Sequence, residues 1–119
     1  MDNVVDIFLH FLNQVRLFHW QTKSYARHQA YGMFYDSFGE LIDDFIEAQM
    51  GKYGRVKTVK PIELQNLDEV EIDDFLNQLE QFLLSFNTEY SKEEDSDLLN
   101  IRDEMLGKLN KLRYLLTLD

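Results

Sequence analysis

Cysteine is absent from the 119 residues. Disulfides, thiolate zinc sites, iron–sulfur clusters and cysteine nucleophiles are thereby excluded. Proline occurs once and glycine five times, so little in the chain interrupts a helix. No apolar run approaches the roughly 18 residues of a membrane-spanning helix. Met1-Asp2-Asn3 lacks the basic start of a secretory leader, and the expectation is a soluble protein of the cytoplasm. Positive charge is scarce: 12 Lys and Arg against 22 Asp and Glu leave a net charge of -10. That balance disfavours nucleic acid and anionic membranes and mildly favours cations. A Gly-rich phosphate loop is missing, and no Ser/His/Asp arrangement can be placed. The Glu-x-x-His motif of di-iron bundles that bind both metals within one chain is missing too.

What is present is helical pattern. Hydrophobic residues make up 45% and aromatics 13%, enough for one globular domain with a modest core. The first helix is expected over about 3–22, with Val5, Phe8, Leu12, Val15 and His19 on one face and Val4, Leu9, Phe11 and Phe18 widening it. After a short break with Ser24 as N-cap, a second helix is expected over 25–51, carrying Tyr31, Phe34/Tyr35, Phe38, Leu41/Ile42 and Phe45/Ile46. The break is so short that the two must form an antiparallel hairpin. Residues 54–67 read as a linker holding Gly54 and Pro61. Extended, it could reach about 46 Å, against about 40 Å for the second helix. It can therefore run the length of a bundle. A third helix is expected over about 69–90, opened by Asp68 with Glu71, and a fourth over 92–118, opened by Ser91 with Glu94. Neither contains histidine, and their inward faces read as wholly apolar. The predicted fold is an all-α four-helix bundle with one long crossover connection between helices two and three.

The chemistry-bearing residues concentrate between His19 and Glu47. Taken singly, each has a plain reading: His19 as a core or surface histidine, Trp20 as packing, His28 as surface. Asp43 and Glu47, four apart, share one helix face, and as a pair they are usually solvated charge. Asp43 follows Leu41-Ile42 and precedes Phe45-Ile46, which places it at the edge of the buried stripe, where an unpaired carboxylate is costly. Together, two imidazoles and two carboxylates form a mixed N/O donor set suited to iron, manganese or zinc. His28 and Asp43 are 15 residues apart, about 22 Å along a helix. One chain cannot bring them to one ion. Two copies of the second helix packed antiparallel about a two-fold axis would set the histidines of one subunit against the carboxylates of the other.

The His19-Trp20 pair, the later His28, and Asp43 with Glu47 resemble the ferroxidase motif of Dps proteins, the mini-ferritins. The resemblance spans roughly residues 5–54. It implies a ferritin-like bundle with His19, His28, Asp43 and Glu47 as metal ligands at a two-fold interface and Trp20 beside them. It also implies iron as the metal, oxidation of Fe(II) by peroxide or oxygen, and assembly into a homo-oligomer. No Lys-rich tail accompanies the motif, and DNA binding is not expected. The competing expectation is a non-enzymatic helical-bundle interaction protein whose metal motif is vestigial or structural.

Overall fold

A computed structural model describes residues 3–118; expectations for Met1, Asp2 and Asp119 lie outside the described residues. The fold is all-helical, with no strand among the described residues. Four long helices carry it: α1 (Val4–Gln21), α2 (Tyr25–Tyr53), α3 (Ile72–Leu84) and α5 (Ser96–Leu115). A single turn, α4 (Phe86–Glu89), continues from α3, and a 3-10 turn spans Leu67–Glu69. No helix among the described residues is long and apolar enough to cross a membrane.

Ser24 starts α2 by accepting the Arg27 N–H at 3.2 Å, satisfying one of the orphan donors of a helix start. Gly54 ends α2 at φ 92° while its N–H returns to the Met50 carbonyl. Only glycine enters that backbone region without strain.

The core is a run of interlocked aromatic rings. Phe8 contacts Phe38, Phe45, Phe82 and Phe86 with centroids 5.3–6.2 Å apart, all edge-on. Phe11 meets Phe75 and Phe82, and Phe18 meets Phe75. The inward face of α1 is thus Val4, Phe8, Phe11, Val15 and Phe18. It is rotated from the expected stripe, because Val5, Leu12 and His19 are only half-buried. Rings bury about 150–250 Å² each, so the phenylalanine-rich face wins the interior.

The connection after α2 lies along another face of α1, held by a ladder of side chains. Asp6 accepts the Val59 N–H at 2.9 Å, and His10 bonds the Glu63 carbonyl. Gln14 takes both the N–H and the carbonyl of Gln65, and Gln21 takes the Leu67 N–H. A side-chain ladder replaces the backbone pairing that an irregular segment otherwise lacks.

Four further expectations need correction. The third helix begins at Ile72 rather than about 69, and the capping box forms two residues earlier, between Asn66 and Glu69 on the 3-10 turn. The same helix breaks at Ser85, whose hydroxyl and N–H both turn back to the Phe82 carbonyl. The neighbouring Leu83 carbonyl is taken by Arg102 at 2.8 Å. This Arg102 also corrects the wholly apolar inner face of the last helix: it is buried, and it donates further bonds to Asn87 and Asp103. Finally, the last helix starts at Ser96 rather than 92. The Ser91 hydroxyl accepts the Glu93 and Glu94 N–H groups in a tight turn instead of opening a helix, and Asp95 takes the Ser91 N–H.

Candidate functional site

The α1–α2 hairpin positions every residue singled out in the sequence. At its closed end His19 and His28 form a reciprocal clasp. His19 Nδ1 lies 2.7 Å from the His28 carbonyl, and His28 Nδ1 lies 2.8 Å from the His19 carbonyl. A carbonyl only accepts, so both Nδ1 atoms carry the proton, which turns Nε2 of each ring away from these bonds. The rings stack with centroids 3.9 Å apart and planes inclined by 15°. The His19 carbonyl belongs to the last turn of α1, where carbonyls lose their helical partners, so His28 also caps α1. Gly32 makes room for the clasp: a Cβ there would sit 2.9 Å from His19 Cε1.

Asp43 and Glu47 lie at the other end of the hairpin, about 22 Å from His28 along α2. Both are exposed, not partly buried as expected for Asp43. They rim a groove between α1 and α2 whose walls are Val5, Phe8, Leu9, Ile42 and Ile46. Solvent reaches the carboxylates, which removes the burial cost that had set Asp43 apart. Among the described residues no three His, Asp or Glu side chains gather closely enough to hold a metal ion. One chain supplies two imidazoles at one end and two carboxylates at the other. Each end is a partial donor set.

Trp20 sits beside the clasp but points outward, 67% exposed. Arg16 links it to α2, with its guanidinium 5.5 Å from the Trp20 ring and 4.1 Å from the Tyr35 ring. Arg16 escaped notice in the sequence, although its place four residues before Trp20 puts the two on one face. Among the described residues Arg16 pairs with no carboxylate. Toward the middle of the hairpin Leu12 packs over Gly39, with 3.7 Å from Leu12 Cδ1 to where a Cβ would lie. Val5, Leu9, Leu12, Arg16 and Trp20 therefore line one outward face of α1, continued on α2 by Tyr35, Gly39, Ile42 and Ile46.

A second polar cluster closes the far end of the bundle. Asp95, buried at the start of α5, accepts from the Tyr53 hydroxyl, the Ser91 N–H and Lys52. The Tyr53 bond, then the Ser91 N–H, hold its carboxyl below the usual carboxylate range, with Lys52 adding to them. Burial pulls the Lys52 ammonium down, but its bonds to Asp95 and Asp97 outweigh it and raise the group. Tyr90 donates to Gln49, and burial pushes its phenol up. Every strong partner here lies within the chain, and the cluster reads as a lock joining α2 to α5.

These arrangements define a small all-helical bundle. The chain belongs to a family of unknown function, DUF5856, which matches residues 19–116. It is also similar to the "Uncharacterized 14.6 kDa protein in mobD-ri intergenic region" of Enterobacteria phage T4, with 32% identity over 101 residues, covering 85% of this chain and 75% of that protein. No solved structure matches the chain significantly. The resemblance to Dps proteins and the ferritin-like superfamily is corrected by this result: the match across 19–116 is to a different family, and no ferritin or Dps relative accompanies it.

Proposed function

We propose that this chain is a non-enzymatic helical interaction protein that assembles with further copies of itself through the outward face of α1 and α2. The observation that carries the reading is the second apolar stripe of α1. Val5, Leu9 and Leu12 are only half-buried, Val5 and Leu12 packing along the edge of the core, and a large exposed indole continues the row. A helix apolar on two sides has a partner on both. The long connection, strapped along α1, serves this architecture as a crossover between α2 and α3 and leaves the outward face uncovered. The cytoplasmic setting expected from the sequence remains part of the proposal. Equilibrium sedimentation tests the reading: a multiple of the 14.2 kDa chain mass supports it, and a monomer at all attainable concentrations sinks it.

A second reading has its own support. Histidines that bind metals commonly donate the other ring N–H to a carbonyl, which fixes the tautomer and the ring. Both His19 and His28 are held that way. In this reading a site shared between subunits takes iron, manganese or zinc, with His19 and His28 from one copy and Asp43 and Glu47 from another. Turnover as a ferroxidase would be a further step. Calorimetric titration with Zn(II), Mn(II) and Fe(II) tests it. Binding lost in both a His19→Ala/His28→Ala variant and an Asp43→Ala/Glu47→Ala variant, and regained on mixing them, supports a shared site. No uptake by the parent chain, or full uptake by each variant alone, contradicts it.

A further inference from the structure

The outward face of α1 and α2 is complementary to itself. One end presents a projection, the exposed Trp20 ring, with the cationic Arg16 beside it. The other end presents a recess with apolar walls, Val5, Leu9, Ile42 and Ile46, and an anionic rim, Asp43 and Glu47. Along α1 the two ends are about 20 Å apart. Between them Leu12 packs over Gly39.

We infer that a second copy of this chain docks antiparallel on this face, with Trp20 of each copy seated in the groove of the other. This rests on the assembly reading above and names its partner and geometry. A two-fold axis near Leu12 and Gly39 forms both contacts at once, because whatever one copy offers, the other receives. The indole meets apolar walls, and its Nε1–H, which only donates, meets rim carboxylates, which only accept. Arg16 of each copy faces Asp43 and Glu47 of the other. Among the described residues Arg16 lies over aromatic rings and neither it nor these carboxylates makes an ion pair, so pairing across the axis breaks none of the described ones. Opposite charges at opposite ends set the orientation: a parallel arrangement stacks Arg16 on Arg16 and carboxylate on carboxylate, which is repulsive. Exposed tryptophan and arginine are the side chains that most often carry binding energy at protein interfaces.

The test uses full-length chains in sedimentation equilibrium without added metal. The parent chain has twice the monomer mass. Trp20→Ala, which removes an exposed side chain, keeps its helical circular dichroism and weakens self-association by about 30-fold or more. Arg16→Glu alone and Asp43→Lys/Glu47→Lys alone are each monomeric, since like charges then face one another. Mixed in equal amounts, the two charge variants form a dimer, because every exchanged charge meets its opposite. If Trp20→Ala associates as tightly as the parent, or the mixture stays monomeric while the parent is a dimer, this docking geometry is wrong and self-assembly by another surface stands. If the parent itself is monomeric, both proposals fall.

Discussion

The two apolar faces of α1 differ in one respect: the inner face is completed within the chain and the outer face is not. Phe8 touches four other rings and has no exposed surface. Leu12, one turn further along, packs over Gly39 and the edge of the core and remains half-buried. Both faces repeat at three- and four-residue steps, and both are rich in large side chains. Periodicity therefore says that a face is apolar without saying which molecule covers it. Only the packing of α3, α4 and α5 on one side of the hairpin separates the interior from the face proposed for docking.

Four substitutions break or sharpen that contrast. Phe8→Ala should be the most damaging, because its neighbours come from α2, α3 and α4 and cannot all collapse into the space. A loss of about 3–5 kcal/mol is expected in denaturant unfolding. Asp95→Asn comes next and acts on the polar lock that closes the inner side. Its carboxyl is held below the ordinary range by Tyr53 and the Ser91 N–H. A lowered value in the folded state means stabilisation that is complete above the ordinary carboxylate range and lost as pH falls through the lowered value. Between pH 5 and 3, urea midpoints of the parent should thus fall further than those of Asp95→Asn, which lacks this component. Equal slopes would remove Asp95 from the lock.

His28→Ala removes the donor that caps the His19 carbonyl and should cost about 1 kcal/mol. Thermal melts measure the loss, and the His19 ring resonances in NMR should shift as the stacked partner disappears. Trp20→Ala should leave the unfolding free energy of the single chain within about 0.5 kcal/mol, since exposed substitutions rarely do more. Its effect belongs to association. A large destabilisation of the monomer by Trp20→Ala would place the indole in the interior and erase the distinction between the faces.

Much of the fold was legible from pattern. The break-poor sequence and the spacing of Phe, Leu and Ile give the long helices and the α1–α2 hairpin, with Ser24 as its cap. Boundaries in the second half were less legible because side chains from distant positions decide them. Arg102 takes the Leu83 carbonyl from 19 residues away, and the capping box moved to Asn66 and Glu69 beside the strap. The candidate site was legible as a set of residue types but not as a geometry. Nothing in the spacing shows that His19 and His28 bond each other's carbonyls. Gly32 was the available clue, a residue without a side chain four after His28 and opposite His19. The kinship to Dps drawn from His19, Trp20, His28, Asp43 and Glu47 did not survive comparison along residues 19–116.

The outward face can be probed at its centre. The chain contains no cysteine, so Leu12→Cys creates a single thiol beside the proposed two-fold axis, and Lys108→Cys places a control on exposed α5. Under mild oxidation at dilute protein concentration, Leu12→Cys should form a disulfide-linked dimer rapidly and in high yield, while Lys108→Cys should not. A Leu12→Cys chain that stays uncrosslinked although it sediments as a dimer, or that crosslinks no faster than the Lys108→Cys control, would contradict assembly through this face.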